Sequence, residues 1–288
     1  MIGKAACRGA ATIVNAIATG KGAAFGISLE TDAFVEFEQG PGEIALKDSE
    51  EGKDLAVGCV RAIASKTSKK ELKGEIRIKS EIPISRGLKS SSAVSNAVTL
   101  ATSNALGSRM QDMELILAGI EESIKAGVTI TGAFDDASAC FMGGVVVTNN
   151  RSFTLLSRGT LDPDLDILIH VPERRISKAS LKGLDFSPIR EKVDHALDLA
   201  LKGEYLKAME VNSRAYSKVL DVSEDIAELA RKKGALGAGI SGTGPATVIV
   251  CSRADVHEIH RALEREEGAV LRAKVNDTPA REVVPRLL

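Results

Sequence analysis

The sequence predicts an α+β protein built from two domains. With 288 residues, the chain is long for a single domain and has ample length for two. Strand-like and helical patterns are interspersed along its whole length, and the pattern changes after about residue 155, where a strand, several helices and two more strands follow. We therefore expect a first domain at residues 1–157 and a smaller α+β domain at residues 158–288.

In the first domain, two long β segments open the chain. Residues 4–18 and 22–38 are rich in Ala, Ile, Val and Phe, and residues 32–38 show the alternation of a half-exposed strand. Gly40-Pro41-Gly42 predicts a turn after them. The other predicted elements of this half are helices at 51–68, 90–106 and 110–126 and strands at 74–81 and 145–148.

In the second domain, a strand at 165–171 precedes a helical region. Two further strands flank one highly charged helix near the C-terminus, which is typical of an α+β layer. The predicted helices are 186–202, 204–219, 223–233 and 253–267, and the two strands are 246–251 and 269–276.

The composition excludes several classes of protein. The net charge of −1 and the absence of Trp argue against nucleic acid or an anionic membrane as partner. No stretch resembles a signal peptide or a membrane span. The cysteines form no CxxC pattern and are expected to be buried, reduced thiols of a cytoplasmic protein; they are Cys7, Cys59, Cys140 and Cys251.

The most informative segment is 83–93, Pro-Ile-Ser-Arg-Gly-Leu-Lys-Ser-Ser-Ser-Ala, which lies between a predicted strand and a predicted helix. Gly87 permits a tight turn, and three serines follow it where the helix begins. The free N–H groups and the positive dipole end of a helix N-terminus bind phosphate, and Lys89 adds a positive charge. The alternative is an ordinary serine-capped helix after a turn.

Two other segments carry features of a site. Residues 237–246 hold four glycines before a buried strand, which is common where backbone approaches a phosphate, although a tight structural loop gives the same pattern. Residues 131–144 place Asp135 and Asp136 at the start of a small, apolar run. Burying carboxylates is costly, so these acids point to a function; the alternative is an N-cap with an acid in the first turn.

These three motifs, in this order and spacing, resemble the GHMP kinases over residues 4–277. Segments 9–22 and 129–136 are most similar to the archaeal type of shikimate kinase within that superfamily. The chain differs from the common superfamily pattern at Lys89, where glycine usually stands, and it lacks an acidic Gly-Glu-His first motif. The resemblance implies a ribosomal protein S5 domain 2-like N-terminal domain and a ferredoxin-like C-terminal domain.

The resemblance also implies an activity, namely phosphorylation of the 3-hydroxyl of shikimate by ATP with Mg²⁺, in aromatic amino acid biosynthesis. The alternatives are another small-alcohol kinase of the superfamily, such as homoserine kinase, or a non-catalytic sensor on the same fold. ATP and a small-molecule acceptor are then the partners. None of the motifs predicts an oligomeric state.

The same resemblance assigns roles to residues. Asp136 is the expected base, with Asp135 as the fallback, and Arg8 is expected to stabilise the transferring phosphoryl group or hold the substrate carboxylate. Mg²⁺ is expected on Ser91, Ser92 and Glu122. The residues expected to hold the ATP phosphates are Pro83, Ser85, Arg86, Gly87, Leu88, Lys89, Ser90, Ser91, Ser92 and Ala93, and the glycine-rich loop contributes Gly239, Ser241, Gly242, Thr243 and Gly244.

Overall fold

The computed structural model of the protein describes residues 1–47, 49–67, 71–129, 132–174, 176, 181 and 183–283. Two β-sheets, each covered by helices, form the described part of the chain. Ile130 and Thr131, two residues of the predicted acidic motif, lie outside it.

The first sheet is built around a long hairpin. Strands β1 (Ile2–Val14) and β2 (Lys21–Gln39) pair antiparallel, and β2 then pairs with β4 (Leu72–Ser80) at one end and with β5 (Val145–Asn149) at the other. The short strand β3 (Ile44–Leu46) pairs with β4, and β6 (Thr154–Gly159) pairs with β5. Buried Ala, Val, Ile and Phe side chains of the hairpin form the core against the helices.

Four helices pack on this sheet and on one another. They are α1 (Lys53–Thr67), α2 (Ser90–Ala105), α3 (Asp112–Lys125) and α4 (Phe134–Met142). The small residues of α2 allow it to lie close to β1 and β2, with Ala93, Ala97 and Ala101 fully buried. This packing brings the N-termini of α2 and α4 to the same side of the sheet.

The second sheet has four antiparallel strands. Its strands β7 (Asp166–Val171), β8 (Gly237–Ile240), β9 (Thr247–Cys251) and β10 (Ala269–Lys274) lie in the order β10-β7-β9-β8. This order, with helices between β7 and β8 and between β9 and β10, is that of a ferredoxin-like domain. Its helices are α5 (Arg190–Leu201), α6 (Tyr205–Leu220), α7 (Asp225–Lys232) and α8 (Val256–Leu263).

The domain limits are less simple than the predicted boundary at residues 157 and 158. That boundary falls within β6, which pairs with β5 in the first sheet. A last strand, β11 (Arg281–Glu282), also returns to the first sheet and pairs with β1. The first sheet therefore takes strands from both ends of the chain.

Most predicted elements are present in the structure, and five short ones among the described residues were not predicted: β3, β6, α4, β8 and β11. The strand β8 was read as loop because half of its residues are glycine, but all four are buried. The four cysteines are free and buried, as predicted. Among the described residues, no helix combines the length and apolar character that a bilayer crossing requires.

Candidate active site

A cleft of about 530 Å³ lies beside the N-terminus of α2. One wall is the serine-rich segment 83–92, and the opposite walls come from α1, β4 and the C-terminal end of α3. The cleft is lined by apolar side chains as well as by the hydroxyl and charged groups of the serine-rich segment; the apolar group includes Leu46, Leu55, Ile78, Val94 and Ile120.

The turn at Gly87 sets the position of the serine-rich segment. Gly87 has a φ of 86°, and a Cβ built there would overlap the carbonyl oxygen of Ser241. The Ser241 hydroxyl donates a hydrogen bond of 2.8 Å to the Gly87 carbonyl oxygen, so two segments distant in sequence are joined at this point. Lys89 then serves as the N-cap of α2 in the left-handed region, with a φ of 65°. The first amides of α2 therefore face the cleft.

Most of the residues predicted to hold phosphates line this cleft: Pro83, Ser85, Gly87, Leu88, Lys89, Ser90, Ser91 and Ser92. Arg86 and Ala93 do not line it. The Arg86 guanidinium donates to the carbonyl oxygens of Pro172 and Arg174, which ties the segment after β7 to the serine-rich segment. Ala93 is fully buried in the first turn of α2.

Asp136 faces the cleft from the first turn of α4. Its Oδ1 atom lies 2.9 Å from the Lys89 Nζ atom, and the exposed fractions of the Asp136 and Lys89 side chains are 18% and 6%. Apart from this ion pair, the buried Oδ1 atom has no hydrogen-bond partner among the described residues. Both side chains line the cleft and also a second cavity of about 40 Å³ that lies next to it.

Asp135 occupies a different environment, behind Asp136. It is buried, and its Oδ1 atom accepts a 2.8 Å hydrogen bond from the Asn150 side chain. A Cβ on Gly22 would overlap the Asp135 Oδ2 atom, so the glycine leaves room for the carboxylate. Burial, followed by the charge of Asp136, raises the pKa of Asp135 to about 7. Asp135 lines the second cavity only, so Asp136 is the carboxylate that faces both cavities.

Several residues of the second cavity were not predicted as site residues, among them Thr12 and Asn15. The Thr12 hydroxyl accepts a 2.8 Å hydrogen bond from the Gly242 amide, and the Asn15 side chain donates one of 2.7 Å to the Gly242 carbonyl oxygen. Both residues are buried, Thr12 near the end of β1 and Asn15 directly after it. Their polarity within an Ala, Ile and Val run is the signal that identifies them.

The glycine-rich loop is divided between the site and the core. Gly242 and Thr243 line both cavities. Gly239 instead lies in β8, where a Cβ would come within 2.9 Å of the Ser213 Cβ atom, so it permits close packing against α6. Ser241 is buried and joins the two segments, and Gly244 packs beside Val222.

Arg8 and Glu122, two further residues predicted in the site, line neither cavity. The register of β1 and β2 pairs Arg8 with Glu30, and its guanidinium lies 3.3 Å from the Glu30 carboxylate and 2.5 Å from Asn276 Oδ1. On α3, Ile120 and Ser123 face the cleft.

Glu122 faces α1 instead. A Cβ on Gly58 of α1 would lie 2.5 Å from the Glu122 Oε2 atom, so the carboxylate packs directly over that glycine. The other oxygen, Oε1, pairs with Lys125 at 2.5 Å. The predicted roles of Arg8 as a catalytic residue and of Glu122 as a magnesium ligand therefore lack support from their positions.

The chain matches the families described as GHMP kinases N terminal domain, over residues 54–144, and GHMP kinases C terminal, over residues 191–270. The shikimate kinase of Methanothrix thermoacetophila is 39% identical over 283 residues, which cover 98% of this chain and 96% of the relative. The shikimate kinase of Methanosarcina mazei is 40% identical over 283 residues, with 96% of each chain covered.

A solved homoserine kinase from Cytophaga hutchinsonii has the same fold. Its TM-score is 0.77 at 18% identity, with 98% of this chain and 97% of that chain covered. The predicted two-domain fold and the predicted family are thus confirmed. The chain belongs to the GHMP kinase family and, within it, to the group of these archaeal shikimate kinases.

Proposed function

We propose that the protein transfers the γ-phosphoryl group of ATP to the 3-hydroxyl of shikimate. The observation that carries this proposal is the position of Asp136, at the junction of a large cleft and a small polar cavity and beside the N-terminus of α2. Shikimate as the acceptor is supported by the two relatives of about 40% identity, which bear the name shikimate kinase.

The large cleft suits a nucleotide. Its volume of about 530 Å³ is in the range of ligand pockets, and its apolar side chains offer a surface for a base. In the same cleft, the unpaired amides and the dipole of α2 stabilise phosphate charge near Ser90, Ser91 and Ser92. This arrangement orients the γ-phosphoryl group toward Asp136.

The residues present fit a magnesium ion. The hydroxyls of Ser91 and Ser92 line the cleft at the start of α2. Mg²⁺ prefers such hard oxygen ligands and keeps several waters, so these two side chains would hold it together with phosphate oxygens. When bound, it supplies neutralisation of phosphate charge.

Asp136 acts as the base in the proposed reaction. The acceptor oxygen forms a bond to the γ-phosphorus, and the bond from that phosphorus to the oxygen bridging to the β-phosphate breaks. ADP leaves with that electron pair, and the hydroxyl proton passes to Asp136. A positioned base contributes typically about 10²–10⁴-fold to such a step. The second cavity, lined by Thr12, Asn15 and Thr243, lies where the acceptor hydroxyl must enter.

An assay of ADP release with shikimate, homoserine and mevalonate as separate acceptors tests the proposal. We expect turnover with shikimate and a kcat/KM at least about 100-fold lower with the other two, because a polar site built for one set of hydroxyls rejects a mismatched one. Turnover with homoserine but not with shikimate or mevalonate would mean that homoserine is the acceptor. Nucleotide binding without turnover on any alcohol would favour a sensor.

The first prediction concerns Asp136. Asp136→Asn keeps the size of the side chain but removes the base, so we expect kcat to fall by about 10²–10⁴-fold with little change in ATP binding. The control is Asp164→Asn, at an exposed residue outside both cavities, which should leave kcat unchanged. A kcat for Asp136→Asn within threefold of the wild type would remove Asp136 from its role.

A further inference from the structure

We propose that Lys89 is a positioning residue for Asp136, holding its carboxylate at the junction of the two cavities, rather than a ligand of the nucleotide phosphates. The inference rests on the proposed function. It assigns to Lys89 a task on the acceptor side of the reaction, although the residue lies within the serine-rich segment.

The burial of the pair is the first argument. The Lys89 side chain is only 6% exposed, and a buried ammonium is costly unless an opposite charge compensates for it. Among the described residues, Asp136 is the carboxylate within ion-pair distance, at 2.9 Å. The Lys89 charge is therefore already balanced by Asp136 before any phosphate arrives.

The second argument is that the protein fixes the Lys89 ammonium from another side. A Cβ at Gly242 would lie 3.0 Å from the Lys89 Nζ atom, so the backbone of the glycine-rich loop lies against the ammonium. The loop is itself held to β1 by the hydrogen bonds of Gly242 with Thr12 and Asn15. Lys89 thus sits between α4 and a rigid loop, with limited freedom to follow a phosphate.

The backbone of Lys89 supports the same assignment. Lysine rarely adopts a φ of 65°, because a left-handed conformation is unfavourable in a residue with a side chain. The residue makes no side-chain cap for α2, so helix capping does not explain the conformation. In this conformation the Lys89 ammonium lies beside Asp136. Both residues line both cavities.

The ammonium acts on the reaction through the geometry of the carboxylate. It fixes the orientation of the Asp136 carboxylate toward the acceptor hydroxyl, and misplacement by about 1 Å is enough to cost about 100-fold in rate. Removing Lys89 should therefore slow the chemical step more than it weakens nucleotide binding.

Steady-state kinetics of Lys89→Met separate the two roles. We expect kcat to fall by about 10–100-fold and the KM for ATP to stay within about twofold, the pattern of a loss confined to the chemical step. A phosphate ligand would give the reverse, a raised KM for ATP with a nearly unchanged kcat. The matched control is Lys274→Met, which removes a lysine with the same 2.9 Å distance to a carboxylate, Asp166, outside both cavities.

Two further measurements keep the test decisive. In the Asp136→Asn background, Lys89→Met should lower kcat by less than about threefold, because the carboxylate to be positioned is gone. Lys89→Arg keeps the charge and should retain a higher kcat than Lys89→Met. The inference is overturned if the kcat losses of the two single substitutions multiply in the double variant. It is also overturned if Lys89→Met raises the KM for ATP and leaves kcat nearly unchanged.

The fold and the proposed function are controlled separately. Thermal unfolding of all variants shows whether Lys89→Met folds, and Lys89→Arg serves if it does not. Wild-type turnover with shikimate tests the proposed function alone. If the wild type instead turns over another acceptor of the panel, the kinetics of the Lys89 and Asp136 variants are measured with that acceptor. Without turnover on any acceptor, coupling between Lys89→Met and Asp136→Asn in thermal unfolding tests the pair, and additive losses there overturn it.

Discussion

The sequence predicts that the serine-rich segment 83–93 and the glycine-rich segment 237–245 both approach a phosphate, but the two segments have different roles in the structure. The first opens onto the cleft, with Ser90, Ser91 and Ser92 partly exposed at the start of α2. The second is almost entirely buried, and only Gly242 and Thr243 reach the cavities. One segment lines the cleft that we propose for the nucleotide, whereas the other supports it from behind.

The comparison shows how a ligand loop is held without a rigid element of its own. The serine-rich segment has no strand neighbour between β4 and α2, and its turn rests on the carbonyl oxygen and the hydroxyl of Ser241. A hydrogen bond from the Ala246 amide to the Arg86 carbonyl oxygen adds to this junction. The loop between two strands of the second sheet therefore holds in place the segment that we propose as the phosphate site.

The largest effect on this comparison is expected from Gly87→Ala, at the junction of the two segments. A Cβ at Gly87 overlaps the Ser241 carbonyl oxygen, and alanine at a φ of 86° is strained in addition. We expect a loss of about 2–4 kcal/mol in unfolding free energy and a rise of more than tenfold in the KM for ATP, measured by thermal unfolding and steady-state kinetics.

Gly107→Ala is the matched control for this prediction. Gly107 follows α2 with a φ of 64°, and nothing lies within 4 Å of a Cβ built there, so the substitution adds the backbone strain without the overlap. It should cost about 1 kcal/mol and leave the KM for ATP unchanged. Equal effects of the two substitutions would mean that the junction contributes nothing beyond local backbone conformation.

Much of the fold was predictable because its elements follow simple periodic patterns. The long strands β1 and β2 and the helix α2 carry continuous runs of residues with strand or helix character. The strand β8 was missed because glycine has low strand propensity, yet α6 packs so closely that only glycine fits at Gly239. Tertiary packing overrides the local signal there.

The site was predictable in its segments but not in its contacts. The motifs identified the cleft wall and Asp136, but the pairing of Lys89 with Asp136 joins residues 47 positions apart, and no local pattern encodes such a contact. The resemblance assigns a catalytic role to Arg8, whereas the strand register pairs Arg8 with Glu30. The strand register, and the face of a helix on which a residue lies, decide which charged groups line a cavity.

A pair of serine substitutions sharpens the comparison further. Ser241→Ala removes a buried hydroxyl that donates to the Gly87 carbonyl oxygen and accepts a 3.2 Å bond from the Thr12 amide. We expect a loss of about 1–3 kcal/mol in unfolding free energy, since two backbone groups lose their partner. Ser91→Ala, at the cleft, should leave the melting temperature unchanged and raise the KM for ATP or the Mg²⁺ requirement about 3–10-fold.

The two substitutions are each other's control, because each removes one hydroxyl from one of the two segments. Melting temperatures and the KM for ATP are measured for both under the same conditions. If Ser91→Ala lowers the melting temperature as much as Ser241→Ala does, then the division into a contacting and a supporting segment is wrong.

The same contrast between a contacting and a supporting group divides the adjacent carboxylates of α4. Asp136 faces the cleft, whereas Asp135 is buried against Asn150 and Gly22 with a pKa raised to about 7 by burial and by the Asp136 charge, against the opposing effect of Lys89. Unfolded chains bind the carboxyl proton only below about pH 4. Between about pH 4 and pH 7 the folded protein holds more protons, so its stability falls as the pH rises through this window.

Asp135→Asn removes this pH dependence, because the amide does not ionise and can still accept the hydrogen bond from Asn150. Thermal unfolding at pH 5 and pH 8 should therefore show that the stability of the variant relative to the wild type is greater at pH 8 than at pH 5 by roughly 2–3 kcal/mol.

The control for this last prediction is Asp185→Asn. Hydrogen bonds from the amide and hydroxyl of Ser187 lower the pKa of Asp185, so its window lies below pH 4, and its difference from the wild type should stay constant between pH 5 and pH 8. A constant difference for Asp135→Asn as well would mean that Asp135 is ionised throughout, and both carboxylates of α4 would then be available as bases.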